Sequence, residues 1–167
     1  MFDYIKGMLV AKNPPYCTIE CNNIGYSLLV NSRCLSNIGE IGENITIYTK
    51  LIHKEDNMFL CGFVKKQDRV IFDILTSVSG VGTKVAFALL DEFDTYDLIE
   101  AVVAEDYKKI SRAKGVGTKM AQKIVLELKD KLIKTEITAE VISSDTKNTI
   151  VSSETIVQVQ TILQSLG

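Results

Sequence analysis

The pentapeptide GVGTK occurs twice, at Gly80–Lys84 and at Gly115–Lys119. The match is wider than five residues: SGVGTKVAFALL begins at Ser79 and KGVGTKMAQKIV at Lys114, each with an alanine two places after the lysine. These residue types suit one chemistry, the holding of an anion. A Gly-x-Gly turn leaves the backbone bare, so that another molecule can approach closely. A helix that starts after it presents unpaired N–H groups and the positive end of its dipole, which together favour phosphate. Thr83 and Thr118 add hydroxyl donors. Lys84 and Lys119 fall in the first helical turn, where a cation opposes the dipole, and so point to a negative partner from outside.

Nucleotide-loop chemistry is excluded. G-x-G-x-x-G needs a third glycine where Val85 and Met120 stand, no G-x₄-G-K-[ST] occurs, and neither repeat follows a strand. A plain helix–helix turn would account for one copy. Two matching copies call for more, because the second lies in a run, Tyr107–Leu126, with Lys108, Lys109, Arg112, Lys114, Lys119 and Lys123 and no acid. Paired helix-hairpin-helix elements can grip both strands of a duplex, and phosphate contacts fix position without reading sequence. The expected binding is structure-directed or non-specific, and salt-dependent. A generic duplex-binding repair scaffold is the first alternative. A glycosylase-type enzyme is the second, with Asp130 as the candidate acid. Asp130 reads better as a surface residue within ELKDKL, and the chain has no tryptophan.

The remaining reactive residues read as structural. Cys17, Cys21, Cys34 and Cys61 lack zinc-site spacing and His53 is the only histidine, so reduced, buried thiols are expected and neither metal nor cofactor. The N-terminus does not read as a signal peptide, and Val85–Leu90 is far too short for a bilayer span; a cytoplasmic protein without a membrane is expected.

The elements that must carry the repeats follow from patterning. Over residues 1–63, FDYIKGMLV, YCTIEC, GYSLLV, NITIYTKLI and MFLCGF read as five short strands, with Asn22–Asn23 and HKEDN as turns and no helical pattern of any length. A closed five-stranded barrel of the OB-fold type fits. Residues 64–134 read as all-helical: Val70, Ile71, Ile74, Leu75 and Val78 share one face, Val85, Ala86, Leu89 and Leu90 follow the first repeat, and Leu98, Ile99, Val102 and Val103 follow Asp97. The fold class is therefore α+β, a barrel followed by a tandem helix-hairpin-helix domain. Residues 135–153 read as a flexible linker, and residues 154–167 as a helix. The net charge of −2 divides as −1 over residues 1–63, +2 over 64–134 and −3 over 135–167. The helical segment alone is positive.

This order of elements, with PPYCTIECNNIGY, HKEDNMFLCGF, FDILTSVSGVGTKVA and KGVGTKMAQKIVLELKDKL, resembles the RuvA family, the Holliday-junction-binding subunits of bacterial RuvAB branch-migration complexes. The resemblance covers nearly the whole chain. It implies a non-catalytic DNA-binding subunit of recombination and repair, a flat homotetramer holding an open four-way junction, the RuvB motor ATPase as partner and the RuvC resolvase as a further one. It carries DNA binding onto Gly80, Gly82, Thr83, Lys84, Gly115, Gly117, Thr118, Lys119 and Lys123. It also makes Glu55 and Asp56 an acidic pin near the junction centre. Carboxylates there would repel phosphates and keep exchanging strands apart. The chain stops at Gly167, after what the resemblance implies is the first helix of the RuvB-binding module, so a truncated or reduced module is expected.

Overall fold

The computed structural model describes residues 2–134; the linker expected over 135–153 and the helix expected over 154–167 lie outside the described residues. Five strands form first: β1 (Tyr4–Asn13), β2 (Tyr16–Cys21), β3 (Ile24–Leu29), β4 (Asn44–Lys54) and β5 (Asn57–Phe63). They close into a barrel in the order β1-β2-β3-β5-β4. Only the β3–β5 pair is parallel. The five-stranded OB-like barrel expected from the alternating runs is the one observed.

Alternation also sets the core. Leu9, Cys17, Ile19, Leu28 and Ile47 are fully buried inside the barrel. Each such leucine or isoleucine contributes about 1.5–3 kcal/mol by leaving water. A break in register between Leu9 and Ala11 marks a bulge in β1, the usual device for bending a strand round a small barrel. Asn22 and Asn23 sit at φ 51° and 62°. They close a two-residue hairpin between paired Cys21 and Ile24, the left-handed turn for which asparagine is suited.

A short helix, α1 (Ser32–Asn37), interrupts the β segment where no helix was expected. Six residues are too few to show a helical period. Its start is built locally: the Asn31 side chain accepts a 2.9 Å hydrogen bond from the Cys34 N–H. Cys34 and Ile38 then join the barrel core.

The β4–β5 hairpin runs on past its neighbours. β1 pairs with β4 only as far as Tyr48, and β3 meets β5 only at Leu60 and Cys61. Ile52–Lys54 and Asn57–Phe59 therefore pair only with each other, and Glu55–Asp56 form the turn at the tip of this ribbon.

Helices follow the barrel: α2 (Lys66–Thr76), α3 (Thr83–Glu92), α4 (Thr95–Val103), α5 (Tyr107–Ile110) and α6 (Thr118–Lys134). On α2 and just after it, Ile71, Leu75 and Val78 are buried as the pattern predicts, joined by Phe72, which the pattern left out. The segment 96–110 is two helices. Glu105 takes φ 55°, a left-handed backbone that ends α4, and Asp106 then caps α5 by accepting from the Lys109 N–H. The described chain forms two compact units. One holds Met1–Thr95 with Ala113–Gly115; the other holds Tyr96–Arg112 and the chain from Val116. In the first, α2 and α3 are bound to the barrel by Phe63, Phe72 and Phe87, whose ring centroids lie 5.0–5.8 Å apart. Such aromatic contacts add about 0.5–1.5 kcal/mol per pair beyond burial. No helix among the described residues is long and apolar enough to cross a membrane.

Candidate nucleic-acid interface

The two GVGTK hairpins adopt one conformation. Gly80 and Gly115 take φ 91° and 83°, where a side chain would be strained. Val81 and Val116 turn inward and are equally buried. The following helices begin at Thr83 and Thr118, each with its first intrahelical bond returning to the second glycine: Ala86 N–H to the Gly82 carbonyl at 3.0 Å and Ala121 N–H to the Gly117 carbonyl at 2.9 Å. Burial repeats at the same interval, with Val78 and Ala113, Ala86 and Ala121, and Leu89 and Ile124 all in the core. The shared sequence is a shared structure.

The second glycine of each hairpin differs from the first. Gly82 has ordinary dihedrals, φ −92° and ψ 178°, and Gly117 is outside the left-handed range. A Cβ at either would meet nothing within 4 Å. Neither the backbone nor the packing of this chain therefore requires glycine there. No side chain caps the start of α3, so its first N–H groups remain open. Lys84, Thr118 and Lys119 are exposed around these openings, and Thr83 is half-buried.

The basic run separates on folding. Lys109 is turned into its own unit, its Nζ 3.4 Å from Glu100 Oε2 and 4.0 Å from Asp97 Oδ1. Lys123 reaches Glu127 one turn on, at 3.8 Å. Lys108, Arg112, Lys114 and Lys119 are exposed, with no ion pair among the described residues. Arg112 and Lys114 thus stand beside the second hairpin as free cations that the motif match did not single out. Their signal was the acid-free run itself. Glu105 meets Lys129 at 2.5 Å, and this hydrogen bond holds its carboxyl below the usual range.

Glu55 and Asp56 are exposed at the ribbon tip, in the same compact unit as the first hairpin. Gly117, Thr118, Lys119 and Lys123 belong to the other unit. The cysteines take no part: Cys17, Cys34 and Cys61 are buried and Cys21 half-buried, all as free thiols. Burial pushes Cys17 up to about 11, and Cys34 and Cys61 up to about 12.

Comparison with known proteins agrees with this architecture. Residues 1–62 match the RuvA N terminal domain, and residues 72–130 match the SAM-like Helix-hairpin-helix tandem. The chain is 41% identical over 138 residues to the Holliday junction branch migration complex subunit RuvA of Acetivibrio thermocellus, covering 83% of this chain and 68% of the relative. The subunit of the same name from Christiangramia forsetii is 43% identical over 134 residues, 80% of this chain and 69% of the relative. That from Neisseria meningitidis is 38% identical over 138 residues, 83% and 71% of the two chains. The chain belongs to the RuvA family.

Proposed function

We propose that this chain binds four-way DNA junctions as the non-catalytic DNA-binding subunit of a RuvAB-type branch-migration complex. One observation carries the reading: Gly82 and Gly117 are bare at positions where the fold itself has no use for glycine. A sugar–phosphate backbone is the partner that would use the space. It would accept hydrogen bonds from the open helix N–H groups, as phosphate does at helix starts. Thr83, Lys84, Thr118, Lys119 and Lys123, with Gly80 and Gly115 shaping the turns, make up the rest of the contact set; Arg112 and Lys114 extend it. Glu55 and Asp56 act as the pin that repels phosphates at the crossover. Residues 1–63 and 64–134 divide the work, the first carrying the pin and the second the grip. Four copies around one junction would give each arm a pair of hairpins. Strand exchange would draw its energy from a RuvB motor, and a RuvC resolvase would act on the same complex, in the cytoplasm.

The test is a gel-shift competition, at fixed salt, between a synthetic four-way junction and linear duplex of the same sequence. Strong junction preference is expected. Equal affinity for the two would reduce the chain to a general duplex binder, and no binding to either would return the hairpins to structural turns.

A further inference from the structure

We propose that Arg69 is a positioning residue. It locks the root of the β4–β5 ribbon to α2, so that the first hairpin and the Glu55–Asp56 tip keep one fixed spacing, and junction preference over linear duplex depends on that lock. The proposal rests on the reading above. Three consecutive residues of β4 are engaged where the ribbon leaves the barrel. The guanidinium of Arg69 lies 5.9 Å from the centroid of the Tyr48 ring, within cation–π range. The Thr49 N–H donates to the Asp3 carbonyl at 2.9 Å, and the same carbonyl accepts from Arg69 Nη1 at 2.9 Å. Lys50 Nζ lies 2.9 Å from Asp73 Oδ1. Arg69 also pairs with the Asp3 carboxylate.

Arg69 and Asp73 are one turn apart on α2, so a single helix face meets Tyr48 and Lys50 directly and Thr49 through the shared Asp3 carbonyl. From Ile52 to Phe59 the ribbon has no strand neighbours, as its pairing shows. Its angle is therefore set at the root. From the same helix the chain passes directly into Gly80–Lys84. The far end of the hairpin is fixed too, because Asp91, at the end of α3, accepts from the Arg33 N–H at 2.9 Å. A phosphate grip and a phosphate-repelling tip are thus built onto one frame. On a linear duplex the tip has nothing to separate, so only the junction should be sensitive to their spacing.

The experiment compares the full chain with Arg69→Met, Arg69→Lys and Asp3→Asn. Circular dichroism and thermal melting first establish that each is folded. The expected result for Arg69→Met is a fall of about tenfold in junction-over-duplex preference, with linear-duplex affinity within about twofold of the parent. Arg69→Lys should restore part of the preference, because it keeps the charge and loses the planar guanidinium over Tyr48. Spin labels at Ser79 and Asn57 give a readout without DNA: the distance distribution should broaden in Arg69→Met and less in Arg69→Lys. Should Arg69→Met fail to fold, Asp3→Asn, which keeps the carbonyl acceptor, carries the same test. An unchanged distance distribution overturns the proposal, as does a broadened one with unchanged preference. A parent without junction preference overturns the functional reading and this proposal with it. That outcome is told apart because it shows before any variant is made.

Discussion

Each hairpin contains two glycines in different backbone conformations, and substitution can separate what each contributes. Gly80 and Gly115 are in the left-handed region, so Gly80→Ala should cost about 1–2 kcal/mol of stability through backbone strain. Gly82 has ordinary dihedrals and empty space where a Cβ would go. Serine there is a good helix cap whose oxygen would take the Lys84 or Val85 N–H. Gly82→Ser should therefore leave the melting temperature unchanged or raised. It should weaken junction binding by about tenfold, the value of one hydrogen bond to a charged group. Stability and affinity moving together would contradict this division of roles. The lysines separate in the same way. Lys119→Ala should lower the slope of log K against log salt by about 1, uniformly across DNA sequences. Lys109→Ala should leave that slope alone, because Lys109 already faces Glu100 and Asp97. Its cost appears in unfolding, at about 0.2–1 kcal/mol for a partly exposed pair.

Among the elements, the ribbon tip carries acids, Glu55 and Asp56, and the hairpins carry lysines, Lys84 and Lys119. Glu55→Gln with Asp56→Asn removes two carboxylates from a tip that makes no other contribution to packing, both being exposed. Junction affinity measured by gel shift should stay equal or rise; a marked loss would show the tip to be a contact and not a separator. Much of this layout is legible in the sequence because it is local. Alternation marks the strands, Asn22–Asn23 marks a left-handed turn, and the repeat marks both hairpins. The rest depends on partners far apart in the chain or on conformations that the residue type does not announce. Arg69 and Asp3 are 66 positions apart, and Arg33 and Asp91 are 58. Glu105 breaks a helical segment at φ 55° although glutamate favours helix. Phe72 lies outside the five-residue stripe read on α2 and is fully buried all the same, because the barrel offers Phe63 as a second surface.

At the scale of the molecule, the two compact units differ in what can titrate inside them. All four cysteines lie in the unit that holds the barrel. Cys17 is pushed up from 9.0 to about 11, and Cys34 and Cys61 from 9.0 to about 12, by burial of groups whose charged form needs water. Raised values mean that the folded state holds these protons more tightly than the unfolded chain. Stability is then full below about pH 9, where thiols are protonated in both states, and falls as pH rises towards 11–12. Each thiol contributes a loss of at most about 1 kcal/mol per pH unit in that window. Urea unfolding at pH 8, 9 and 10 should show the decline. Cys34→Ala should flatten it while lowering stability at pH 8. Tyrosine and lysine titrate in the same range, so the difference between parent and variant slopes is the quantity that decides; equal slopes would mean that the thiol ionises in place. Alkylation of the native protein at pH 8 should reach half-buried Cys21 first and the other three only through opening of the barrel unit. The helices from Tyr96 onward contain no thiol and should keep their circular dichroism where the barrel unit has begun to fail.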